Sequence, residues 1–288
     1  MTRDRRDESP AAPMLRRADD LREHTIGATD GDIGTVEDVY FDDLSWTVRY
    51  LVVDTGGWLS GRKVLLSPPS FRGVDDAGRR IETALTRRQV EESPSIDTAK
   101  PVSRQHETAL GAHYGYGAYW SGPYRWGAFA YPYPLLHAGV LPPVTESPYE
   151  NRVAEELAAR ERENEDPHLR SARAVKGYGI RATDGDLGHV EDFLLDTQDW
   201  AIRYLVVDPR SWWPGPHVLI ATDWIRGVSW NDSVVEVDVT REAVRGARRY
   251  DARGTFGRPD EISWYAEHRR PGYWERPADA WRHSPPAA

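Results

Sequence analysis

The chain has 288 residues, 39% of them hydrophobic, with a formal net charge of −9 and no cysteine. That length allows two domains that each bury a core, while 21 Pro and 24 Gly add irregular connecting chain. The acidic balance opposes a broad phosphate-backbone footprint, so no nucleic-acid partner is expected, and the lack of Cys excludes disulfides, thiolate nucleophiles and Cys-ligated metals.

The first residues, Met1-Thr-Arg-Asp-Arg-Arg-Asp-Glu-Ser-Pro10, are charged and lead into no apolar run, unlike a secretory signal. No segment reaches the roughly 18 apolar residues of a spanning helix. A cytoplasmic protein without a spanning membrane segment is expected. Residues 1–18 are polar and expected to be disordered.

Leu21–Ala28 reads as a first strand, and Asp30-Gly31 as a hairpin turn in which Gly supplies the positive φ. Ile33–Asp42 forms the next strand, and Asp42-Asp43-Leu44-Ser45 the next turn. Trp46–Val53 alternates two sets, Trp46, Val48, Tyr50 and Val52 against Thr47, Arg49, Leu51 and Val53. Both sets carry apolar residues, which predicts a central strand. Val64–Leu66 and Ile81–Leu85 complete the strand set, and Thr86-Arg-Arg-Gln89 fits a capping box that opens a helix.

The pattern then recurs at a constant offset of 154: Ala28-Thr-Asp-Gly-Asp-Ile-Gly-Thr-Val-Glu-Asp38 returns as Ala182-Thr-Asp-Gly-Asp-Leu-Gly-His-Val-Glu-Asp192. Trp46-Thr-Val-Arg-Tyr-Leu-Val-Val-Asp54 likewise returns as Trp200-Ala-Ile-Arg-Tyr-Leu-Val-Val-Asp208. Residues 28–90 and 182–244 agree at about 28 of 63 positions without a gap, the signature of a duplicated unit. Five or so short strands and a helical turn in each unit predict a small closed or nearly closed β-barrel.

Between the repeats, His113 to Pro134 is low in complexity, its Tyr, Trp and Phe spaced by Gly and Pro. Those spacers oppose a regular helix. Ser147-Pro-Tyr-Glu150 has an N-cap with Pro at the first helical position, predicting a helix to about Asn164. After the second repeat the chain is rich in Arg, Pro and Trp and reads as irregular. The expected division is a disordered 1–18, a first barrel 19–96, an aromatic linker 97–146, a linker helix 147–165, a second barrel 166–252 and an irregular tail 253–288.

The duplicated motifs, Gly27-Ala-Thr-Asp-Gly-Asp-Ile-Gly-Thr-Val-Glu-Asp38 followed by Val48-Arg-Tyr-Leu-Val-Val-Asp54, resemble the PRC-barrel family. The resemblance covers roughly 20–95 and 174–250. It implies an all-β protein of two tandem PRC-type barrels with short terminal helices, joined by the aromatic linker and one helix. That family includes the cytoplasmic domain of the photosynthetic reaction-centre H subunit and the C-terminal domain of a ribosome-maturation factor. The resemblance therefore implies an interaction module rather than an active site. Membrane-associated support of a reaction centre and a ribosome-maturation adaptor are the alternative roles it suggests.

No catalytic, cofactor-binding or metal-binding residue is assigned, and an enzyme is not expected. Asp30-Gly31-Asp32 and Asp184-Gly185-Asp186 read as hairpin turns rather than Ca²⁺ loops, because alternating oxygen ligands do not follow. Adjacent strand residues face opposite ways, so Glu37-Asp38 and Glu191-Asp192 read as one solvated carboxylate and one paired to Arg49 or Arg203. The nine His are scattered, with only His189 and His217 on strands, and neither is given a ligand role. Candidate contacts with a protein partner of unknown identity, or with a second copy, are Trp58, Trp212 and Trp213 in Gly/Pro-rich loops and Trp120 and Trp126 in the linker. Trp58 and Trp212 read equally as lids on the barrel ends.

Overall fold

The computed structural model describes residues 15–96, 102–133, 168–209, 216–251, 254 and 256–276. The linker helix expected at 147–165, and the loop residues Trp212 and Trp213, lie outside the described residues. The fold is mostly β with a few helices. The first copy of the repeat holds β1 (Leu15–Arg17), α1 (Ala18–Leu21), β2 (Thr25–Ala28), β3 (Gly31–Asp42), β4 (Thr47–Asp54), β5 (Lys63–Leu66), β6 (Phe71–Asp75), β7 (Arg80–Thr83), α2 (Arg87–Glu91) and α3 (Arg104–Tyr114). The second holds β8 (Leu169–Ser171), α4 (Ala172–Val175), β9 (Gly179–Ala182), β10 (Gly185–Asp196), β11 (Ala201–Asp208), β12 (Val218–Ala221), β13 (Ile225–Ser229), β14 (Val234–Val237), α5 (Arg241–Gly246) and α6 (Arg258–Glu267).

Every strand among the described residues joins one continuous sheet, whose main path runs β13-β14-β9-β10-β11-β4-β3-β2-β7-β6. Within each copy the pairing is antiparallel, except that β2 lies parallel to β7 and β9 parallel to β14. The long strands carry the same register shift, between Val36 and Asp38 in β3 and between Val190 and Asp192 in β10. Such a bulge leaves one residue unpaired and re-aims its side chain. Here that residue is Glu37 or Glu191.

Local chemistry explains the element ends. The expected capping box forms at α2: Gln89 N–H donates to Thr86 Oγ1 at 3.3 Å and Thr86 N–H to Gln89 Oε1 at 2.9 Å. The Asp-Gly-Asp turns make a second tie, since Asp30 Oδ1 accepts Arg87 N–H and Asp184 Oδ1 accepts Arg241 N–H, each at 2.8 Å. The turn carboxylates thus seat the first turn of each terminal helix, where unpaired N–H groups favour anions. Asp42 Oδ1 organises the next turn by accepting N–H from Leu44 and Ser45. Trp46 and Trp200 leave these turns with φ of 49° and 61°, a backbone region that costs a non-glycine residue on the order of 1 kcal/mol or more.

Two expectations are corrected. Residues 15–17, expected within a disordered start, form β1, and they pair with the other copy: Leu15, Arg16 and Arg17 lie opposite Asp196, Leu195 and Leu194 of β10. The equivalent strand β8 pairs back onto β3. The sequence 253–288, expected to be irregular, contains the ten-residue α6, with Trp264 and Tyr265 buried. Gly257 starts this helix by donating its N–H to Asp260, and Pro follows at the opening turn, where its missing N–H costs nothing.

Strands β3 and β4 approach so closely at Gly34 that an added Cβ would lie 2.0 Å from the Asp54 carbonyl oxygen. Gly188, with φ +125°, meets the Asp208 carbonyl oxygen at the same distance. Backbone cannot yield cheaply, so Gly188→Ala is expected to destabilise the protein by about 2–3 kcal/mol. Urea unfolding of the full chain measures this, and an unchanged midpoint would contradict the close approach.

Candidate functional site

The two copies meet edge to edge where β4 and β11 start, with Thr47 opposite Ala201. These residues are equivalents in the repeat, and the bonds around them are reciprocal. Val48 N–H donates to the Trp200 carbonyl at 2.8 Å, and Ile202 N–H to the Trp46 carbonyl at 2.7 Å. Phe41 stacks on Trp46 with centroids 5.2 Å apart and tilts against Phe193 across the joint. Phe71 of the first copy covers Trp200 of the second.

The second carboxylate of each Glu-Asp pair is buried in this exchange. Asp192 accepts Arg17 Nε at 2.7 Å and Asp19 N–H at 3.3 Å, both from the first copy. Asp38 accepts Ser171 Oγ at 2.5 Å and Arg173 N–H at 3.3 Å, both from the second. Arg49 and Arg203, the expected partners, instead bind Asp42 at 3.1 Å and Asp199 at 2.6 Å. The correction has a simple reason: the exchanged strand brings in a helix start and an Arg or Ser, which satisfy the carboxylate before any neighbouring strand does. Burial pushes Asp192 up to about 6, against the opposing pull of Arg17 and the Phe193 N–H. Glu37 stays nearer the surface, paired to Lys63 Nζ at 2.6 Å.

A second cluster was missed from sequence. Beyond each strand unit, the 154-residue offset also relates Arg104, Glu107, Tyr119 and Trp120 to Arg258, Glu261, Tyr273 and Trp274. Glu107 on α3 is buried, accepts the Tyr119 hydroxyl at 2.7 Å and pairs with Arg104 at 3.0 Å. Glu261 on α6 accepts the hydroxyls of Tyr204 at 2.6 Å and Tyr273 at 3.1 Å and pairs with Arg258 at 3.1 Å. Burial raises Glu261, and it pushes Glu107 up to about 7 even though Arg104 and Tyr119 pull the other way. Burial also raises the Tyr50 phenol well above its ordinary value, as does neighbouring Glu107. The repeat therefore extends through a helix that docks on β4 or β11. Spaced Arg-x-x-Glu and Tyr-Trp pairs at the known offset were the available signal.

The candidate Trp contacts that are described all have partners within the chain. Trp58 Nε1 donates to the Ile33 carbonyl, and the Arg87 guanidinium lies 4.3 Å from the ring. Trp120 sits edge-on to Tyr119 with Arg104 over its ring at 4.2 Å. Trp126 is buried and donates to the Asp199 carbonyl of the second copy at 2.8 Å. Beside it, Arg125 donates to the Ser45 carbonyl and to Thr47 Oγ1, each at 2.6 Å. A small cleft at this junction is lined by Arg125, Arg203, Asp223 and Tyr273. Burial lowers the Arg125 guanidinium to about 10, while nearby Asp199 opposes the shift.

Exposed aromatics gather just after this wedge. Phe129, Tyr131 and Tyr133 are 49%, 59% and 48% exposed, and Phe129 stacks on Tyr133 at 4.9 Å. Among the described residues, one group has metal-ligating chemistry: donor atoms of His189, Glu191 and Asp208 lie within 4.8 Å of one another. No helix of the described residues is long and apolar enough to cross a membrane.

A mostly β chain with a duplicated strand unit, each copy completed by a strand of the other, is the class these features define. Residues 15–89 match the family model of the PRC-barrel domain. The chain is also similar to an uncharacterized protein of Deinococcus radiodurans, 38% identical over 66 residues, or 23% of each chain. The match spans about a quarter of that relative's length.

Glu107 makes stability depend on pH. Its folded value of about 7 exceeds the ordinary 4.5, so the folded state holds the proton more tightly. Its contribution is present below about pH 4.5 and is lost as pH rises through 7, on the order of 3 kcal/mol. Glu107→Gln is expected to flatten the fall in Tm between about pH 5 and 7.5. Melting curves of the full chain across that range measure it, and parallel profiles for variant and wild type would refute it.

Proposed function

We propose that the protein is a non-catalytic protein-binding or scaffolding module made of two PRC-type barrels held as a pseudo-twofold pair. The observation that carries the pairing is the reciprocal exchange of β1 and β8, with Asp192 and Asp38 each satisfied by the opposite copy. The PRC-barrel match of residues 15–89 supports an interaction module, and the second copy extends it by sequence likeness. Its partner is a protein, and the contact is the aromatic strip Phe129–Tyr133, where large apolar rings stand in solvent. Trp58, Trp120 and Trp126 serve the module's own structure in this reading.

Two measurements test it. In-cell crosslinking with mass spectrometry is expected to join residues near 129–133 to another polypeptide, and F129A/Y131A/Y133A to abolish those links; links only within the chain would sink the binding role. Separately, a protease site inserted between residues 140 and 145 of the full chain allows the copies to be cut apart. Both halves are expected to co-elute after cleavage under native conditions. Elution as two independent, smaller species would refute the pair.

A further inference from the structure

The two copies differ most informatively at one surface position on their long strands. In the first, the bulged Glu37 is neutralised by Lys63, whose Nζ lies 2.6 and 2.7 Å from its two carboxylate oxygens. Lys63 stands opposite Asp54 in the β4–β5 register, and Thr35 stands opposite Asp54 in β3–β4. The second copy keeps both carboxylates, as Glu191 and Asp208, but replaces Lys63 by His217 and Thr35 by His189. The ammonium ion that balanced the carboxylate has gone. Two imidazoles stand in place of the amine and the hydroxyl.

The geometry of the second copy follows from the same bulge. His189 lies opposite Asp208, and the unpaired Glu191 is re-aimed beside them. Their donor atoms fall within 4.8 Å of one another. His189 Nε2 is 3.8 Å from Asp208 Oδ2, too far for a hydrogen bond. Two ligands of a tetrahedral Zn²⁺, each about 2.0–2.1 Å from the metal, stand about 3.3 Å apart. The Nε2 of His217 is buried and has no hydrogen-bond partner among the described residues. At the position of Lys63 the second copy thus holds an imidazole with a buried nitrogen unused.

We propose that His189, Glu191 and Asp208 form a binding site for a divalent cation of the Zn²⁺ class, with water in the fourth position. Mixed imidazole and carboxylate donors favour Zn²⁺ and its transition-metal neighbours over Ca²⁺ and Mg²⁺, which take oxygen. The His189 side chain is 40% exposed, which leaves an entry path, while Asp208 is buried beneath it. The bound cation does for the second copy what Lys63 does for the first: it balances the bulged carboxylate and ties the long strand to its neighbours. The site belongs to one copy only, so one ion binds per chain.

The test is calorimetric titration of the untagged full chain, stripped with a chelator, with Zn²⁺ alone and then with Ca²⁺ or Mg²⁺ alone. One equivalent of Zn²⁺ is expected, with no comparable uptake of the other two. His189→Gln should weaken Zn²⁺ binding by about tenfold or more while leaving the metal-free Tm within a degree or two of wild type. If this variant fails to fold, Glu191→Gln supplies the same comparison. Absence of Zn²⁺ binding, or an affinity that survives these substitutions unchanged, would overturn the site.

Discussion

The exchange of β1 and β8 is the constraint on which the rest of the molecule depends. A three-residue strand contributes little by itself, yet each one seats the short helix that follows it against the other copy's long strand. Those helix starts are what satisfy Asp192 and Asp38. Taking a carboxylate out of water costs several kcal/mol unless hydrogen bonds replace the lost hydration. The long strand of either copy therefore holds its central Asp in the core only while the opposite copy is in place. This couples the two copies more tightly than apolar contact would, because apolar surface tolerates sliding and a buried, directional acceptor does not.

The joint also shows where the duplicated unit stops being symmetric. Thr47 and Ala201 face each other as equivalents, but Arg125 and Trp126, which enter from the first copy's continuation, have Asp279 and Ala280 at the equivalent positions. Arg125 reaches Ser45 and Thr47 while its Nε lies 3.7 Å from Asp199. Ser45 and Asp199 occupy equivalent positions, so the exchange of a hydroxyl for a carboxylate places negative charge on the side the arginine needs. Arg49, in turn, donates to the Arg125 carbonyl and lies 3.7 Å from the Tyr119 ring centre. An intramolecular pair can diverge in this way, since each half meets one partner; a homodimer would carry every substitution on both sides.

Much of this was legible in the sequence, and the failures are instructive. Alternation in Trp46–Val53, the Asp-Gly turns and the Thr86 capping box are local signals, and local physics produced what they predict. The constant offset identifies the duplicated unit, which extends past the strands through Arg104 to Trp120 and Arg258 to Trp274. Helices α3 and α6 escaped notice because they dock through a polar Glu and its Tyr partners, so they lack the aliphatic stripe that marks a packed helix. The exchanged strands were hidden for a different reason: Leu15-Arg-Arg17 is too short and too charged to read as a strand, and its reason to be one lies about 180 residues away in β10. The pairing of Asp38 and Asp192 could not be foreseen without that contact.

The helix docking also shows that a repeated polar anchor does not dictate a repeated packing. Glu107 and Glu261 occupy the same place beneath Arg and Tyr, but Leu110 of α3 becomes Trp264 of α6 and Gly111 becomes Tyr265. Trp264 stacks nearly parallel on Trp224, with centroids 4.6 Å apart, and Tyr204 meets it edge-on. The first copy has Ser70 where the second has Trp224, and its helix is instead continued by Tyr114 and Tyr116, whose rings stack at 5.2 Å. In the second copy Trp264 of the helix meets Trp224 of the turn before β13, and in the first Tyr116, just beyond the helix, comes beside Ser70. A directional Glu–Tyr anchor fixes where the helix sits, and aromatic surface of either origin can then complete the burial. That ordering explains how the spacing of Arg, Glu and Tyr coexists with so little likeness in the residues between them.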